Sequence, residues 1–262
     1  MKKKLLASVI AIPVLLLGWT ITGAQEEEDE APFVIPVDTF TCSYKDGKGP
    51  GDLKKAIADW NAWMDDQGAT DYGAFVLTPY YFGEDTFELG WLGYWNSQEG
   101  MGSGIDNYLA NGGEVAKGFD DTLTCQTHEH WAVINVKPGP DEPARDNEVF
   151  TFANCSLGDE ATYDGLFETL DKTVAYQEEN GYTNSSWFMW PVFGGGGDLD
   201  FDFKVINVWA NYTEFGKAYQ HNANGGGRQA LNEMMGDQLD CDASRVYNAK
   251  AVRRPAPPAE EE

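Results

Sequence analysis

The alternation of apolar and polar residues predicts an amphipathic helix flanked by short strands in the first half of the chain. Between Asp52 and Gln67, apolar residues recur at steps of three and four, which is typical of a helix with one buried face. Aromatic and β-branched runs before and after it predict strands at 38–44, 72–82, 87–96 and 130–136. A glycine-broken helical stretch extends from Trp95 to Leu123, so the predicted order is β-α-β-β-α-β.

The second half of the chain predicts the same order. Its pattern gives a strand near 150–156, a helix at 160–179, strands at 185–193 and 201–211, a helical region at 213–239 and a strand at 245–252. The two halves also share landmarks, such as FVLTPYYFG at 75–83 and WFMWPVFG at 187–194. Two copies of one ferredoxin-like domain, at 38–137 and 149–254, are the simplest explanation.

Four cysteines take matching places in the two predicted copies. Cys42 and Cys125 belong to the first copy, and Cys155 and Cys241 belong to the second. Four cysteines allow three pairings, and the duplication selects Cys42–Cys125 and Cys155–Cys241. A zinc site is the alternative, but zinc ligands usually come as close C-x-x-C pairs, and this sequence has none.

Both faces of the predicted strands are apolar. In the third strand of the first copy, one face carries Phe87, Leu89, Trp91 and Trp95, and the other carries Leu92 and Tyr94. In the third strand of the second copy, one face carries Phe201, Phe203, Val205 and Trp209, and the other carries Ile206 and Val208. An antiparallel sheet with one solvated face would alternate with polar residues. The helices cover only one face, so we expect the two sheets to pack together as a closed or nearly closed pseudo-two-fold α+β barrel.

In its element order and duplication, the chain over residues 38–254 resembles the dimeric α+β barrel superfamily, here as a tandem fusion. Members include cofactor-free monooxygenases, haem-handling enzymes, small-molecule lyases and domains without an assigned activity. The resemblance implies a ligand site between the sheet and the helices or inside the barrel.

The first 24 residues predict export. Three lysines precede an apolar core from Leu5 to Trp19, and small residues at 22–24 suit signal-peptide cleavage. A membrane anchor is the alternative, but the apolar stretch is short for a span. The expected location is periplasmic or secreted, without membrane insertion after cleavage. An acidic lead (25–37), a proline-rich linker (138–148) and an acidic tail (255–262) complete the predicted organisation.

The net charge of −25 excludes nucleic acid and anionic lipid as partners. It does not by itself indicate calcium, because no loop has the D-x-[DN]-x-[DN]-G pattern closed by a glutamate. His128 and His130 alternate at a strand entry, where surface histidines are commoner than metal ligands. We therefore predict neither a metal site nor a cofactor.

Aromatic residues make up 13% of the chain and include nine tryptophans. The candidates for lining an apolar ligand cavity are Trp91, Trp95, Trp187, Trp190 and Trp209, together with His221, which has no counterpart in the first copy. The alternative is that the tryptophans simply fill the barrel core.

No catalytic motif is visible in the sequence. The leading expectation is therefore an exported, monomeric, non-catalytic protein with an internal pseudo-dimer that binds a small apolar or aromatic ligand. The alternatives are a cofactor-independent monooxygenase or lyase, and a structural envelope protein without a ligand. The sequence favours the absence of enzymatic activity over its presence.

Overall fold

A computed structural model describes residues 33–83, 87–141, 145–195 and 199–255. The predicted signal peptide (1–24), most of the acidic lead and nearly all of the acidic tail lie outside these residues. So do 142–144 of the predicted linker.

The described chain contains nine strands and six helices. The strands are β1 (Ile35–Tyr44), β2 (Tyr72–Tyr81), β3 (Leu89–Trp95), β4 (Leu123–Lys137), β5 (Asn147–Leu157), β6 (Ser185–Gly194), β7 (Phe203–Trp209), β8 (Leu239–Cys241) and β9 (Arg245–Arg253). The helices are α1 (Pro50–Asp66), α2 (Gln98–Asn111), α3 (Gly113–Asp120), α4 (Tyr163–Glu179), α5 (Tyr212–Asn224) and α6 (Gly227–Met235). We refer to β1–β4 with α1–α3 as the first half, and to β5–β9 with α4–α6 as the second half.

Local sequence signals set the ends of the helices. Ser97, Thr162 and Asn211 precede α2, α4 and α5, and each side chain accepts a hydrogen bond from a backbone N–H in the first turn. Gly68 and Gly181 follow α1 and α4 with positive φ angles of 67° and 74°, the conformation that glycine adopts most easily after a helix. These two glycines therefore end the two long helices.

Two departures concern the ends of the halves. Each glycine-broken helical stretch is two helices rather than one, with breaks at Gly112 and at 225–226. In the first half the last strand is continuous from Leu123, whereas in the second half it is divided into β8 and β9. Between β8 and β9, the Asp242 carboxylate accepts hydrogen bonds from the backbone N–H of Asn154 and from the Arg245 guanidinium, while its own backbone N–H donates to the Asn154 carbonyl.

The eight long strands form one closed antiparallel barrel. Their order is β7-β6-β4-β1-β3-β2-β9-β5, and β5 closes the ring on β7, while β8 pairs with the end of β5. The two halves are joined by the β4–β6 and β2–β9 pairings. The predicted α+β barrel is therefore confirmed.

The barrel interior is a single packed hydrophobic cluster. It is built from large side chains of strands from both halves, including Phe75, Trp131, Phe150, Met189 and Tyr247. Leu92 and Tyr94 point inward, and Leu89 and Trp91 contact the helix-side clusters, as the sequence predicts. Phe87 and Phe201 pack against the barrel interior instead. Each lies before the first residue of its strand, so the alternation of side chains between the two faces of the strand does not apply to it.

Both predicted disulfides are confirmed. Cys42–Cys125 joins β1 to β4, and Cys155–Cys241 joins β5 to β8, each between directly paired positions. Both bridges lie on the helix-facing side of the barrel wall, where Cys42 and Cys155 are buried. None of the helices in the described ranges combines the length and the apolar composition that a membrane span needs.

Candidate active site

A row of polar side chains crosses the outer face of the barrel in the second half. Lys137 pairs with Ser186 across β4 and β6, and Ser186 pairs with Asn207 across β6 and β7. All three positions lie on the side of the sheet that α4 and α6 cover. We call the space between these two helices and the outer face of β4, β6 and β7 the second crevice.

Lys137 is a buried amine at the floor of this crevice. Its residue is 3% exposed, and its Nζ donates to the backbone carbonyl oxygens of Tyr182 at 3.3 Å and Asn184 at 2.5 Å. Among the described residues, no carboxylate lies within ion-pair distance of it. Burial lowers the pKa of the Lys137 ammonium, and the more distant Glu178 carboxylate opposes that shift.

The hydrogen bonds of Lys137 suit its neutral form. A neutral amine has two N–H donors, which match the two carbonyls, and one free lone pair. An ammonium has three donors, so one N–H would be left without a partner in this buried site. The lowered pKa acts in the same direction, so Lys137 gives up its proton more easily than an ordinary lysine and has the chemistry of a base or a nucleophile once it does.

Beside the amine lies a small network of amide and hydroxyl groups. The Asn184 Nδ2 donates to Ser186 Oγ at 2.9 Å and to Asn207 Oδ1 at 3.0 Å, and Ser186 Oγ donates to Asn207 Oδ1 at 2.6 Å. Asn184 is 1% exposed, yet its Oδ1 has no hydrogen-bond partner within the described part of the chain. Such an acceptor is costly unless a donor reaches it, and this is a common property of functional sites.

The second crevice contains a cavity of about 110 Å³. Its floor is the buried set Lys137, Ser186, Thr173, Leu170 and Phe188, and its remaining lining is Val136, Val174, Gln177, Val205, Met235 and Leu239. Several of these last residues are partly exposed, so the cavity lies below the boundary between α4 and α6. The arrangement places one amine-bearing side chain in the lining of an otherwise largely apolar cavity.

The corresponding space in the first half is filled. We call the space between α1, α3 and the outer face of β2, β3 and β9 the first crevice. Trp60 contacts Tyr72, Trp91 and Phe119 edge to face, and the Trp91 Nε1 donates to the Tyr72 hydroxyl at 2.9 Å. A side chain at Gly93 would overlap that hydroxyl.

A cation also enters the first crevice, but it is paired. Arg253 lies opposite Ala74 across β9 and β2, and its guanidinium donates to Asp65 at 3.0 Å, Asn61 at 3.2 Å and the carbonyl of Ala69 at 2.5 Å. Its Nε is buried and has no hydrogen-bond partner among the described residues. This arginine closes a packed surface and offers no lone pair.

The predicted cavity tryptophans do not share one cavity in the described structure. Trp91 and Trp95 belong to the first crevice, Trp187 packs against the barrel interior, Trp190 packs outside β6 near Tyr163, and Trp209 lies beneath α5. None of them lines the 110 Å³ cavity. Their side chains fill space at four separate places.

His221 lies on α5, outside the lining of the cavity. Its Nε2 is 3.0 Å from the Tyr176 hydroxyl, and its ring meets Tyr182 edge to face. The Tyr182 hydroxyl in turn donates to Asn222 at 2.5 Å. His221 therefore supports the loop whose carbonyls hold Lys137, and does not face the amine itself.

His128 and His130 meet a single buried carboxylate on the outer face of β1 and β4. The His130 Nδ1 lies 2.6 Å from Asp38 Oδ1, and the His128 Nε2 lies 3.5 Å from Asp38 Oδ2. Phe40 and Phe193 stack on the two rings. Among the described residues, no group of three or more ligands with metal-binding geometry is present.

A haem group, which the superfamily resemblance raises, does not fit the second crevice. Pockets that take drug-sized ligands have roughly 300–1,000 Å³, several times the 110 Å³ present. No histidine lines the cavity, and His221 is engaged with Tyr176. A wider groove of about 800 Å³ lies at the α5–α6 turn, but it is shallow, and its lining, which includes Asn222, Asn224, Arg228 and Asn232, contains no histidine.

Sequence reasoning missed Lys137. Its signal is a lysine that ends the apolar strand HWAVINVK, where a polar residue at a strand end suggests solvent. Its burial depends on the β4–β6 pairing, which brings the second half's loop over it. The one sequence feature that points to Lys137 is that Arg253, also a basic residue, stands at the matching place at the end of β9.

Comparison with known proteins identifies the fold. No family model matches the chain, and no curated protein sequence matches it. Solved structures do match: a protein provisionally named a monooxygenase from Fusobacterium nucleatum has a TM-score of 0.53 at 9% identity, covering 84% of this chain and 93% of that one. A protein provisionally named a chlorite dismutase has a TM-score of 0.52 at 8% identity, with coverage of 84% and 96%.

A mutant chlorite dismutase from Candidatus Nitrospira defluvii matches with a TM-score of 0.51 at 10% identity, covering 83% of this chain and 92% of that one. Identities this low show the shared fold alone. At that level, the resemblance to the dimeric α+β barrel superfamily is confirmed.

The functional expectation from sequence is wrong in its leading form. The solved structures that share the fold are named as chlorite dismutases and a monooxygenase, all enzymes. This contradicts the expected non-catalytic binding protein and the preference against enzymatic activity. The alternative, a monooxygenase or lyase, agrees better with the comparisons.

Proposed function

We propose that this chain is a small-molecule enzyme of the oxygenase or lyase type that works without haem, with the second crevice as its active site and Lys137 as its reacting group. The observation that carries the proposal is the buried Lys137 amine, held by two backbone carbonyls at the floor of a cavity. The names of proteins with the same fold agree with an enzyme of this class.

The chemistry assigned to Lys137 is the formation of a carbanion. The amine removes a proton from a carbon next to an electron-withdrawing group, and the electron pair stays on the substrate. A lyase then releases a leaving group with that pair, whereas an oxygenase passes electrons from it to dioxygen as co-substrate. The ammonium formed at Lys137 stabilises the adjacent negative charge in surroundings of low polarity.

The cavity limits the substrate to a small molecule. A volume of about 110 Å³ corresponds to the liquid volume of about four water molecules. Asn184 does not line the cavity, so its Oδ1 sets no condition on the substrate. A small carbonyl compound fits the volume and offers the carbon acid that the chemistry needs.

The test measures carbanion formation without knowledge of the final product. Small ketones, aldehydes and hydroxyketones are incubated with the protein in D2O, and exchange of the carbon-bound hydrogen is followed by NMR, with oxygen uptake recorded in parallel. We expect exchange with the native protein and at least a roughly hundredfold loss in Lys137→Met. Lys250→Met, which changes an exposed lysine on β9, is the matched control.

Two results would overturn the proposal. One is the absence of exchange across the panel with the native protein. The other is exchange that persists in a folded Lys137→Met protein, because the activity would then belong to another site.

We further propose that residues 38–137 and 149–254 are tandem ferredoxin-like copies related by a pseudo-two-fold axis. The support is the pairing of Lys137 with Ser186 and Asn207, which matches the pairing of Arg253 with Ala74 and Gly93. Lys137 and Arg253 also donate to carbonyls at matching places, those of Tyr182 and Ala69. In this arrangement the last strand of each copy supplies the cation to the crevice of the other.

We also propose an exported, monomeric enzyme. Two disulfides agree with an oxidising compartment outside the cytoplasm, and the barrel closes within one chain. Mass spectrometry of the protein secreted by its native host tests cleavage after residue 24, and analytical ultracentrifugation tests the monomer.

A further inference from the structure

The surroundings of Lys137 distinguish between two uses of an amine. A base that only moves protons has to return its proton to solvent or to a neighbouring acid. The strand partner of Lys137 on β6 is the neutral Ser186, beyond which lies Asn207 on β7, and the charged group acting on Lys137 from α4 is Glu178, which is exposed. Both uses of the amine need proton transfers, for which water is the carrier, so the direction of the lone pair and the room for an electrophile distinguish them.

The direction of the lone pair supports the nucleophilic use. The two N–H groups of the neutral amine point to the Tyr182 and Asn184 carbonyls, which belong to the loop before β6. The lone pair is therefore directed away from that loop. Lys137 is among the residues that line the cavity, whereas Tyr182 and Asn184 are not, and the imine proposed below needs the lone pair on the cavity side.

The walls select a neutral electrophile. Leu170, Val174, Phe188, Val205 and Met235 present hydrocarbon and sulfur surfaces, and no arginine or second lysine lines the cavity. A substrate carboxylate or phosphate would be buried without a fixed counter-charge, which is strongly unfavourable. A neutral carbonyl compound places its alkyl part against these walls and its carbonyl carbon at the amine.

We infer that Lys137 forms a covalent imine with a small neutral aldehyde or ketone in the second crevice. This inference rests on the proposed function and keeps its site and its carbanion, but the proton is removed from the substrate after it is bound as the imine instead of by the free Lys137 amine. The Nζ–carbon bond forms as the carbonyl carbon–oxygen bond breaks, and the oxygen leaves as water with the two amine hydrogens. No oxidant or reductant is consumed.

The surroundings of Lys137 can also accommodate the imine and the water that its formation releases. Once the amine hydrogens are gone, the carbonyls of Tyr182 and Asn184 need new donors. The released water has two O–H groups that those carbonyls can accept. Once protonated by water, the imine draws electrons from the neighbouring carbon–hydrogen bond more strongly than the parent carbonyl, so the substrate becomes a better carbon acid, and the hydroxide or water left beside the imine takes the carbon-bound proton.

The experiment traps the imine. The full native chain is incubated at neutral pH with acetone or propanal, each small enough for the cavity, and sodium borohydride is added. Hydride reaches the imine carbon and a proton reaches the nitrogen, which leaves a stable secondary amine. Intact mass and peptide mapping then locate the added alkyl group.

We expect one alkyl group per chain at Lys137, in excess over any exposed lysine by roughly tenfold or more, because surface ammonium groups react only through their small neutral fraction. Lys137→Arg should remove this adduct, while Lys250→Arg should retain it. Circular dichroism of each variant establishes that the loss is not due to unfolding. Labelling spread evenly over the lysines, or absent from Lys137, would overturn the inference.

The outcome separates this inference from the proposed function. Lys137-dependent hydrogen exchange without a trapped adduct would overturn the imine and leave Lys137 as a direct base. Adduct formation at Lys137 without hydrogen exchange would support the imine and overturn the proposed carbanion chemistry.

Discussion

The first and second crevices occupy matching places on the barrel but are built in opposite ways. In the first, Trp60, Tyr72 and Trp91 fill the space, and Arg253 is neutralised by Asp65. In the second, a cavity remains, and Lys137 has only backbone carbonyls for partners among the described residues. One crevice stabilises the fold, and the other gives up packing for an unpaired polar site.

The difference depends on a few positions in the strands. Gly93 leaves room for the Tyr72 hydroxyl, whereas the strand at the same place in the second half carries Asn207, which bonds Asn184 and Ser186. A sheet position can thus take either an aromatic wedge or a hydrogen-bonded amide. Natural proteins commonly accept lower local stability where a site needs open space.

The largest expected effect comes from emptying the filled crevice. Trp60→Ala should lower the free energy of unfolding by about 3–5 kcal/mol, because a buried indole and its three aromatic contacts are lost. Thr173→Ala, in the second crevice, should cost only about 1 kcal/mol. Denaturant unfolding of both variants measures the contrast, and equal losses would contradict the assignment of one packed and one open crevice.

A smaller effect should follow from exchanging the strand positions. Gly93→Asn should destabilise the protein by about 3 kcal/mol, because the new side chain overlaps Tyr72. Asn207→Gly should cost about 1–2 kcal/mol through its lost hydrogen bonds and the greater freedom of glycine in the unfolded chain. The comparison fails if Gly93→Asn unfolds at the same denaturant concentration as the native protein.

The cations should respond differently to removal. Arg253→Met breaks an ion pair with the exposed Asp65 carboxylate and should lower the free energy of unfolding by about 1 kcal/mol. Lys137→Met replaces a buried amine by an apolar side chain of similar length, so stability should be unchanged or higher by about 1 kcal/mol. A clear loss of stability in Lys137→Met would mean that the amine is a structural group.

The smallest expected effect is the pH dependence of the stability difference between Lys137→Met and the native protein. The pKa of Lys137 is lowered in the folded state, so the unfolded chain binds the proton more strongly. Below the folded pKa the native state has to hold a buried ammonium, and this penalty disappears as the pH rises towards the ordinary value of 10.5. The stability advantage of Lys137→Met over the native protein should therefore shrink with rising pH. A constant difference in melting temperature across this range would contradict the lowered pKa.

The fold was predictable because its signals are local or repeated. The three- and four-residue spacing of apolar residues marks α1, the two apolar faces of β3 require a covered barrel, and the duplicated surroundings of the cysteines select their pairing. Each of these patterns is visible without knowledge of which strands meet.

The proposed site in the second crevice could not be predicted from local sequence patterns. Lys137 becomes buried only when β4 pairs with β6, and no local pattern in HWAVINVK reveals that partner. The tryptophans were expected to surround a cavity, but large side chains remove empty space when they interdigitate. The cavity lies instead where Thr173, Ser186 and Asn207 are small or polar.

The central claim is that the folded protein makes the Lys137 amine easier to deprotonate than an ordinary lysine, and so available for reaction in the second crevice. Lysine labelled with ¹³C and ¹⁵N allows the Lys137 side-chain resonance, assigned by comparison with Lys137→Arg, to be followed by NMR as the pH is raised, with Lys250 as the exposed reference. We predict that Lys137 loses its proton at a pH clearly below that of Lys250 and below the ordinary pKa of 10.5. A Lys137 resonance that titrates together with Lys250, or above it, would contradict the account.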